Sequence, residues 1–219
     1  VLDFWHPTFE GRSGERWVVD LRTDVPEAPS RGRFHYGWAE GEPGTRVWVQ
    51  RITLRDARDR EDWEHLEHAH SLASWPNVQE CPFIRRTLDI VENADDRYLI
   101  SEYAEHRLVA VVKGAVAAPT ANVIANISAA LDVLHAEGLV HGDVHPENVL
   151  SVRNVWKLAD LGSATKIGDP LQTQPPAIYG SFFPEGIGVG CPATPAVDEC
   201  GVAELARYVA GLWHSEQRR

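Results

Sequence analysis

His141-Gly142-Asp143-Val144-His145-Pro146-Glu147-Asn148 is the stretch on which the reading of this chain turns. It gathers carboxylates, imidazoles and a carboxamide on one short loop. The loop follows a strongly periodic segment, Thr120–Glu137, in which Val123, Ile124, Ile127, Ala130, Leu131 and Leu134 share one helical face. Gly138 reads as the stop of that helix. After the loop come short apolar pieces at Asn148–Ser151 and Val155–Leu158, and then Lys157-Leu158-Ala159-Asp160-Leu161-Gly162. Asp143 and Asn148 therefore sit on one loop, and Asp160 follows one hairpin later. A loop and a hairpin of these lengths can bring all three side chains to a single point.

Upstream the pattern changes from helix to strand. Arg16–Leu21, residues 33–39 and residues 46–52 read as strands, the last two joined through Gly41-Glu42-Pro43-Gly44. Residues 55–74 carry Trp63, Leu66, Ala69, Leu72 and Ala73 at helical spacing, and Pro76 is expected to end that helix. Leu88–Val91 and Arg97–Ser101 read as two more strands. Downstream, a Gly/Pro-rich stretch from Gly168 to Pro195 leads into a final helix over roughly Ala196–Trp213. No internal repeat is visible.

Composition limits the partners. Lys+Arg 21 against Asp+Glu 32 gives a net charge of -11 over 219 residues. Basic residues are scattered or paired, as in Arg85-Arg86, so nucleic acid and anionic membranes are not expected partners. Cys81, Cys191 and Cys200 form no C-x-x-C pair and no metal-ligand spacing, which suits a reducing, cytoplasmic setting. No apolar run is long enough to span a bilayer.

The loop and the segment around Asp160 resemble two signatures of the eukaryotic-like protein kinase superfamily. One is the catalytic loop H-x-D-x-x-x-x-N; the other is the metal-binding D-F-G, written here D-L-G. Phe183-Pro184-Glu185 resembles the A-P-E that closes the activation segment. Asp198 resembles the buried aspartate that anchors the catalytic loop from below. The resemblance implies an α+β, two-lobed protein-kinase-like fold. Its β-rich N-terminal lobe would cover residues 1–103, and a mainly helical, truncated C-terminal lobe residues 104–219. It implies ATP and Mg²⁺ as cofactors and a protein substrate or regulatory protein as partner. Asp143 would orient the acceptor hydroxyl, with His145 and Asn148 beside it on the loop. Asn148 and Asp160 would bind the metal, which takes one or two carboxylates plus phosphate oxygens. Tyr98–Tyr103 looks like the strand entering the interlobe hinge, with Ser101 as gatekeeper and Glu102 next to it. Glu67 is the choice for the ion-pairing glutamate of the small lobe's helix, with Glu64 as rival.

The small lobe departs from the family pattern. Asp24–Gly37 offers Gly32 and Gly37, not the spacing of G-x-G-x-x-G. Aligning Val47-Trp48-Val49-Gln50 with V-A-I-K puts Gln50 at the lysine position and Trp48 over the adenine pocket. Slipping one residue puts Arg51 there instead, and the slip exchanges which side chains share a face. Gly142 stands where many regulated kinases carry arginine, so activation by a phosphate on Thr165 or Thr173 is not expected. His145 stands where Ser/Thr kinases carry lysine; it either contacts phosphate or caps the loop. These features leave three readings: an atypical kinase acting on a Ser/Thr hydroxyl, a pseudokinase serving as a binding module, and a small-molecule phosphotransferase, whose loop reads H-G-D-x-H.

Overall fold

The computed structural model describes residues 5–24, 33–114, 118–172 and 177–211. The chain divides into two units. The first is Val1–Ser74 with Arg86–Ala104; the second is Trp75–Arg85 with Glu105–Arg219. The division is therefore not one cut near residue 103, because Trp75–Arg85 belongs to the second unit.

In the first unit, alternating apolar residues produce a six-stranded antiparallel sheet. Its strands are β1 (Thr8–Glu10), β2 (Arg16–Asp24), β3 (Arg33–Ala39), β4 (Val47–Thr53), β5 (Thr87–Asn93) and β6 (Asp96–Glu102), in the order β1-β2-β3-β4-β6-β5. Val19, Val47, Val49, Val91, Tyr98 and Ile100 line one face with Trp17. The other face carries Ile52, Ile90 and Leu99, which pack against Trp63 and Leu66 of helix α1 (Ala57–Ala73). Each such side chain removed from water contributes about 1.5–3 kcal/mol before entropy is counted. Asp56 caps α1 by accepting from the backbone N–H groups of Arg58 and Asp59.

The two edges of the sheet are tied together. The N–H of Arg12, in the turn after β1, donates to Ile90 O at 2.8 Å. The buried Asp89 carboxylate accepts from the Ser13 N–H at 3.1 Å and from the Trp17 indole N–H at 2.8 Å. Gly11 is required there: a Cβ would stand 1.8 Å from Asp89 Oδ2.

The second unit starts with α2 (Pro76–Glu80). Pro76 opens this short helix at its first turn rather than ending α1, whose C-cap is Ser74. Proline lacks an N–H that the first turn does not use. There follow β7 (His106–Arg107), α3 (Leu108–Val112), α4 (Val123–Ala136), β8 (Leu139–Val140), β9 (Val149–Val152), β10 (Val155–Leu158), β11 (Thr165–Lys166) and α5 (Pro195–Val209). Helix α4 buries Val123, Ile127, Ala130, Leu131 and Leu134. Gly138, at φ +76, turns the chain after it. Strands β9 and β10 form the expected hairpin, with β7 beside β9. The Gly/Pro-rich stretch folds back through Leu171, Phe183 and Ala193 onto Val140 and Val197. The final helix ends at Val209; Trp213 lies outside the described residues, as do Thr173 and the segment 25–32 that holds Gly32 and Arg31.

Candidate functional site

The loop between β8 and β9 is shaped from beneath by one buried carboxylate. Asp198, in the first turn of α5, accepts from the backbone N–H of His141 at 2.8 Å and of Gly142 at 2.9 Å. Its third partner is His135 Nε2, at the end of α4, at 2.9 Å. A fully buried carboxylate is tolerable only with such partners. Gly142 has φ +75, a conformation that favours glycine. The His141 ring continues the link, with Nε2 donating to Ala159 O at 3.0 Å and Nδ1 accepting from the Asp143 N–H at 3.2 Å. This is the anchoring role that the resemblance implied for Asp198.

Helix α5 approaches this loop closely because residue 201 is glycine. A Cβ there would meet Val144 Cβ at 2.7 Å and Val144 O at 2.9 Å. We expect Gly201→Ala to cost about 1–3 kcal/mol through overpacking, read as a lower urea midpoint. A wild-type midpoint would show that the loop yields without cost.

The hydrogen bond that His135 donates to Asp198 raises the His135 pKa above its ordinary value, against the opposing effect of burial. A His whose folded value is raised stabilises fully below the unfolded value of about 6.5 and loses that contribution as pH rises through the folded value. Stability should therefore fall with pH across that window, and His135→Asn should flatten the fall. Equal slopes in urea melts of the two proteins would refute this.

Asp143, His145 and Asn148 are brought together. Asn148 Nδ2 donates to Asp143 O at 2.9 Å and to Asp143 Oδ2 at 3.0 Å. Both bonds use the amide nitrogen, so the amide oxygen is the atom left for a cation. The other Asp143 oxygen, Oδ1, is buried without a hydrogen-bond partner among the described residues and lies 3.3 Å from His145 Nε2. His145 caps the 3₁₀ turn Pro146–Asn148, its Nδ1 accepting from the Glu147 N–H at 3.2 Å. Asp160 follows directly: the N–H of Ala159 donates to Asn148 O at 2.9 Å. Asp160 itself is exposed, in a left-handed conformation at φ 64, with its carboxylate turned back toward the Gly162 N–H at 3.4 Å. Strain of this kind, in a non-glycine residue, concentrates at functional sites.

The other candidates belong to the first unit. Cross-strand partners share a face, and Gln50 pairs with Leu99, which packs on α1. Trp48 pairs with the buried Ser101 and meets the Phe34 ring edge-on at 6.0 Å. Arg51 pairs with Tyr98 on the opposite face and is held there by Asp96, through bonds of 3.0 and 2.7 Å. Of the two registers that the sequence leaves open, β4 thus presents Gln50, not Arg51, toward α1. Burial and the Asp96 charge push the Tyr98 pKa up to about 12. Glu67 is met by Arg12, which also reaches Glu92 on β5. Its ion-pair partner therefore comes from the β1–β2 turn and not from β4. Glu64 is exposed. Glu102 pairs with Arg86 at 2.9 Å.

Two contacts have no sequence signal: the Arg12–Glu67 pair, and a face-to-face stack of Tyr179 on His145 with ring centroids 4.7 Å apart. Both join residues far apart in the chain.

Comparison with known proteins agrees with this geometry. The protein kinase domain family matches residues 44–196. Serine/threonine-protein kinase PkaB of Streptomyces coelicolor is 29% identical over 175 residues, covering 74% of this chain and 40% of the relative. A probable serine/threonine-protein kinase of Dictyostelium discoideum is 28% identical over 119 residues, covering 52% and 22%. Serine/threonine-protein kinase SBK1 of Mus musculus is 34% identical over 101 residues, covering 42% and 24%. The chain thus spans well under half the length of these relatives. With the matched region extending over more than half of the chain and containing Asp143 and Asn148 of the Asp198-anchored loop and Asp160 beyond the hairpin, this chain belongs to the protein kinase family.

Proposed function

We propose that this domain transfers the γ-phosphate of ATP, with Mg²⁺, to a Ser/Thr hydroxyl of a protein. The observation that carries the reading is the Asp143–Asn148 pair, fixed on a loop whose backbone is held by buried Asp198. Asp143 is assigned to orient the hydroxyl and take its proton as the oxygen attacks phosphorus. Its buried Oδ1, lacking a hydrogen-bond partner among the described residues, fits that use. Asn148 and Asp160 are assigned to Mg²⁺. Among the described residues no three His, Cys, Asp or Glu side chains gather as a metal cluster. Two protein oxygens completed by phosphate oxygens are the usual Mg²⁺ arrangement, so the residues fit. Bound Mg²⁺ would neutralise charge developing on the phosphates. Gln50, Ser101 and Glu102 are assigned to the nucleotide, and the relatives' names support a protein substrate. No helix among the described residues is long and apolar enough to cross a membrane. A cytoplasmic setting fits the sparse, unbridged cysteines.

A second reading, a protein-binding pseudokinase, is favoured by the uncharged Gln50 on the α1 face and by Glu67's commitment to Arg12. Incubation with γ-labelled Mg·ATP and dephosphorylated casein separates the two. Label recovered on Ser or Thr above an Asp143→Ala control supports transfer. Label no higher than the control would favour the binding module.

A further inference from the structure

Tyr179 lies at a kink in the 3₁₀ segment Ala177–Phe182 and is 2% exposed. Its ring is nearly parallel to that of His145, with an interplanar angle of 7°. The Tyr179 hydroxyl donates to Glu147 Oε1 at 3.1 Å, and Arg107 Nη2 holds Glu147 Oε2 at 3.1 Å. The Glu147 backbone N–H in turn donates to His145 Nδ1. Tyr179 and His145 are thus joined twice, once through their faces and once through Glu147. Phe182 supports Tyr179 from behind, edge-on at 5.6 Å.

The imidazole needs this support. Because Nδ1 accepts a hydrogen bond, a neutral His145 carries its proton on Nε2. That N–H faces Asp143 Oδ1 at 3.3 Å, too far for a strong bond. The Asn148 amide nitrogen stands 3.3 Å from the same Nε2, so two donors confront each other. Rotation about the terminal torsion of histidine is soft. Polar contacts this long do not fix the ring; a flat surface against its face does.

We propose that Tyr179 is a positioning residue of the catalytic loop: its stack holds His145 with Nε2–H facing Asp143 Oδ1, and so keeps that N–H beside the carboxylate that Asn148 orients. The consequence for catalysis rests on the phosphotransfer reading above; the consequence for the imidazole does not. The segment Ala177–Phe182, inside the Gly/Pro-rich stretch, thereby acts on the loop through the Tyr179 ring and hydroxyl, in place of the lysine-based contacts that His145 cannot make.

The test uses the full chain labelled with ¹⁵N, with the His145 ring signals assigned by their loss in His145→Asn. In the wild type, Nδ1 should resonate as an unprotonated and Nε2 as a protonated ring nitrogen, and Hε1 should lie upfield from the Tyr179 ring current. Tyr179→Phe keeps a flat ring and should preserve this signature. Tyr179→Leu should move Hε1 downfield and average the two nitrogens. In Mg·ATP hydrolysis Tyr179→Leu should lower kcat about ten- to hundredfold, the scale of a displaced catalytic group, with KM for ATP little changed. Tyr179→Phe should restore most of that rate. A wild-type signature in folded Tyr179→Leu overturns the proposal. So does loss of the signature in Tyr179→Phe, a variant small enough to leave folding intact. If the wild type hydrolyses no ATP while the spectra behave as stated, the phosphotransfer reading fails and the positioning of His145 stands.

Discussion

Asp143→Ala is expected to abolish phosphate transfer while leaving Mg·ATP binding close to wild type. Asp143 is the carboxylate assigned to the acceptor hydroxyl, and neither proposed metal ligand is removed. Loss of a positioned acid–base group lowers rate about 10²–10⁴-fold. The side chain is partly buried and takes one hydrogen bond, from Asn148, so the fold should tolerate the change. Single-turnover transfer and equilibrium titration with Mg·ATP, run on the same preparation, separate the two effects. If binding collapses together with the rate, Asp143 holds the nucleotide complex, and its assignment to the hydroxyl is wrong.

Asp198→Ala is expected to have the largest effect on stability. Its carboxylate satisfies two buried backbone N–H groups and a histidine that it helps to charge. Removing one partner of such a buried set costs about 3–5 kcal/mol, because the remaining groups lose both water and partner. Asp198→Asn keeps the shape and one acceptor oxygen, so it should cost less. Urea unfolding followed by tryptophan fluorescence reads both variants. An Asp198→Ala midpoint within error of wild type would mean that the loop is held by other contacts, and would remove the physical basis for a preformed site.

The legible parts of the site are those whose chemistry is compact in sequence. Asp143, His145 and Asn148 lie within six positions, and Asp160 is placed by a hairpin whose strands announce themselves in Val149–Val152 and Val155–Leu158. The anchoring Asp198 was readable through family resemblance alone, because an acidic residue in the first turn of a helix is otherwise ordinary. Arg12–Glu67 and Tyr179–His145 were not readable, since periodicity says which face a residue lies on but not what it meets across 55 or 34 positions. The choice between Gln50 and Arg51 failed for another reason. Strand alternation defines two faces without naming them, and only pairing with Leu99 or Tyr98 tells which face carries α1. Short strands such as β1 and β7 leave no pattern long enough to detect. Pro76 was misread because proline both ends helices and begins them, and the sequence around it carries no cap to decide.

The central claim is that Asn148 and Asp160 form a working metal–nucleotide site. Thermal unfolding in the presence of ATP, with and without Mg²⁺, tests it most directly on wild type and Asp160→Asn, since a ligand that binds only the folded protein raises Tm by mass action. The account predicts a rise that requires Mg²⁺ in the wild type and is lost in Asp160→Asn. No rise in the wild type at saturating Mg·ATP, or an equal rise in the variant, would contradict it.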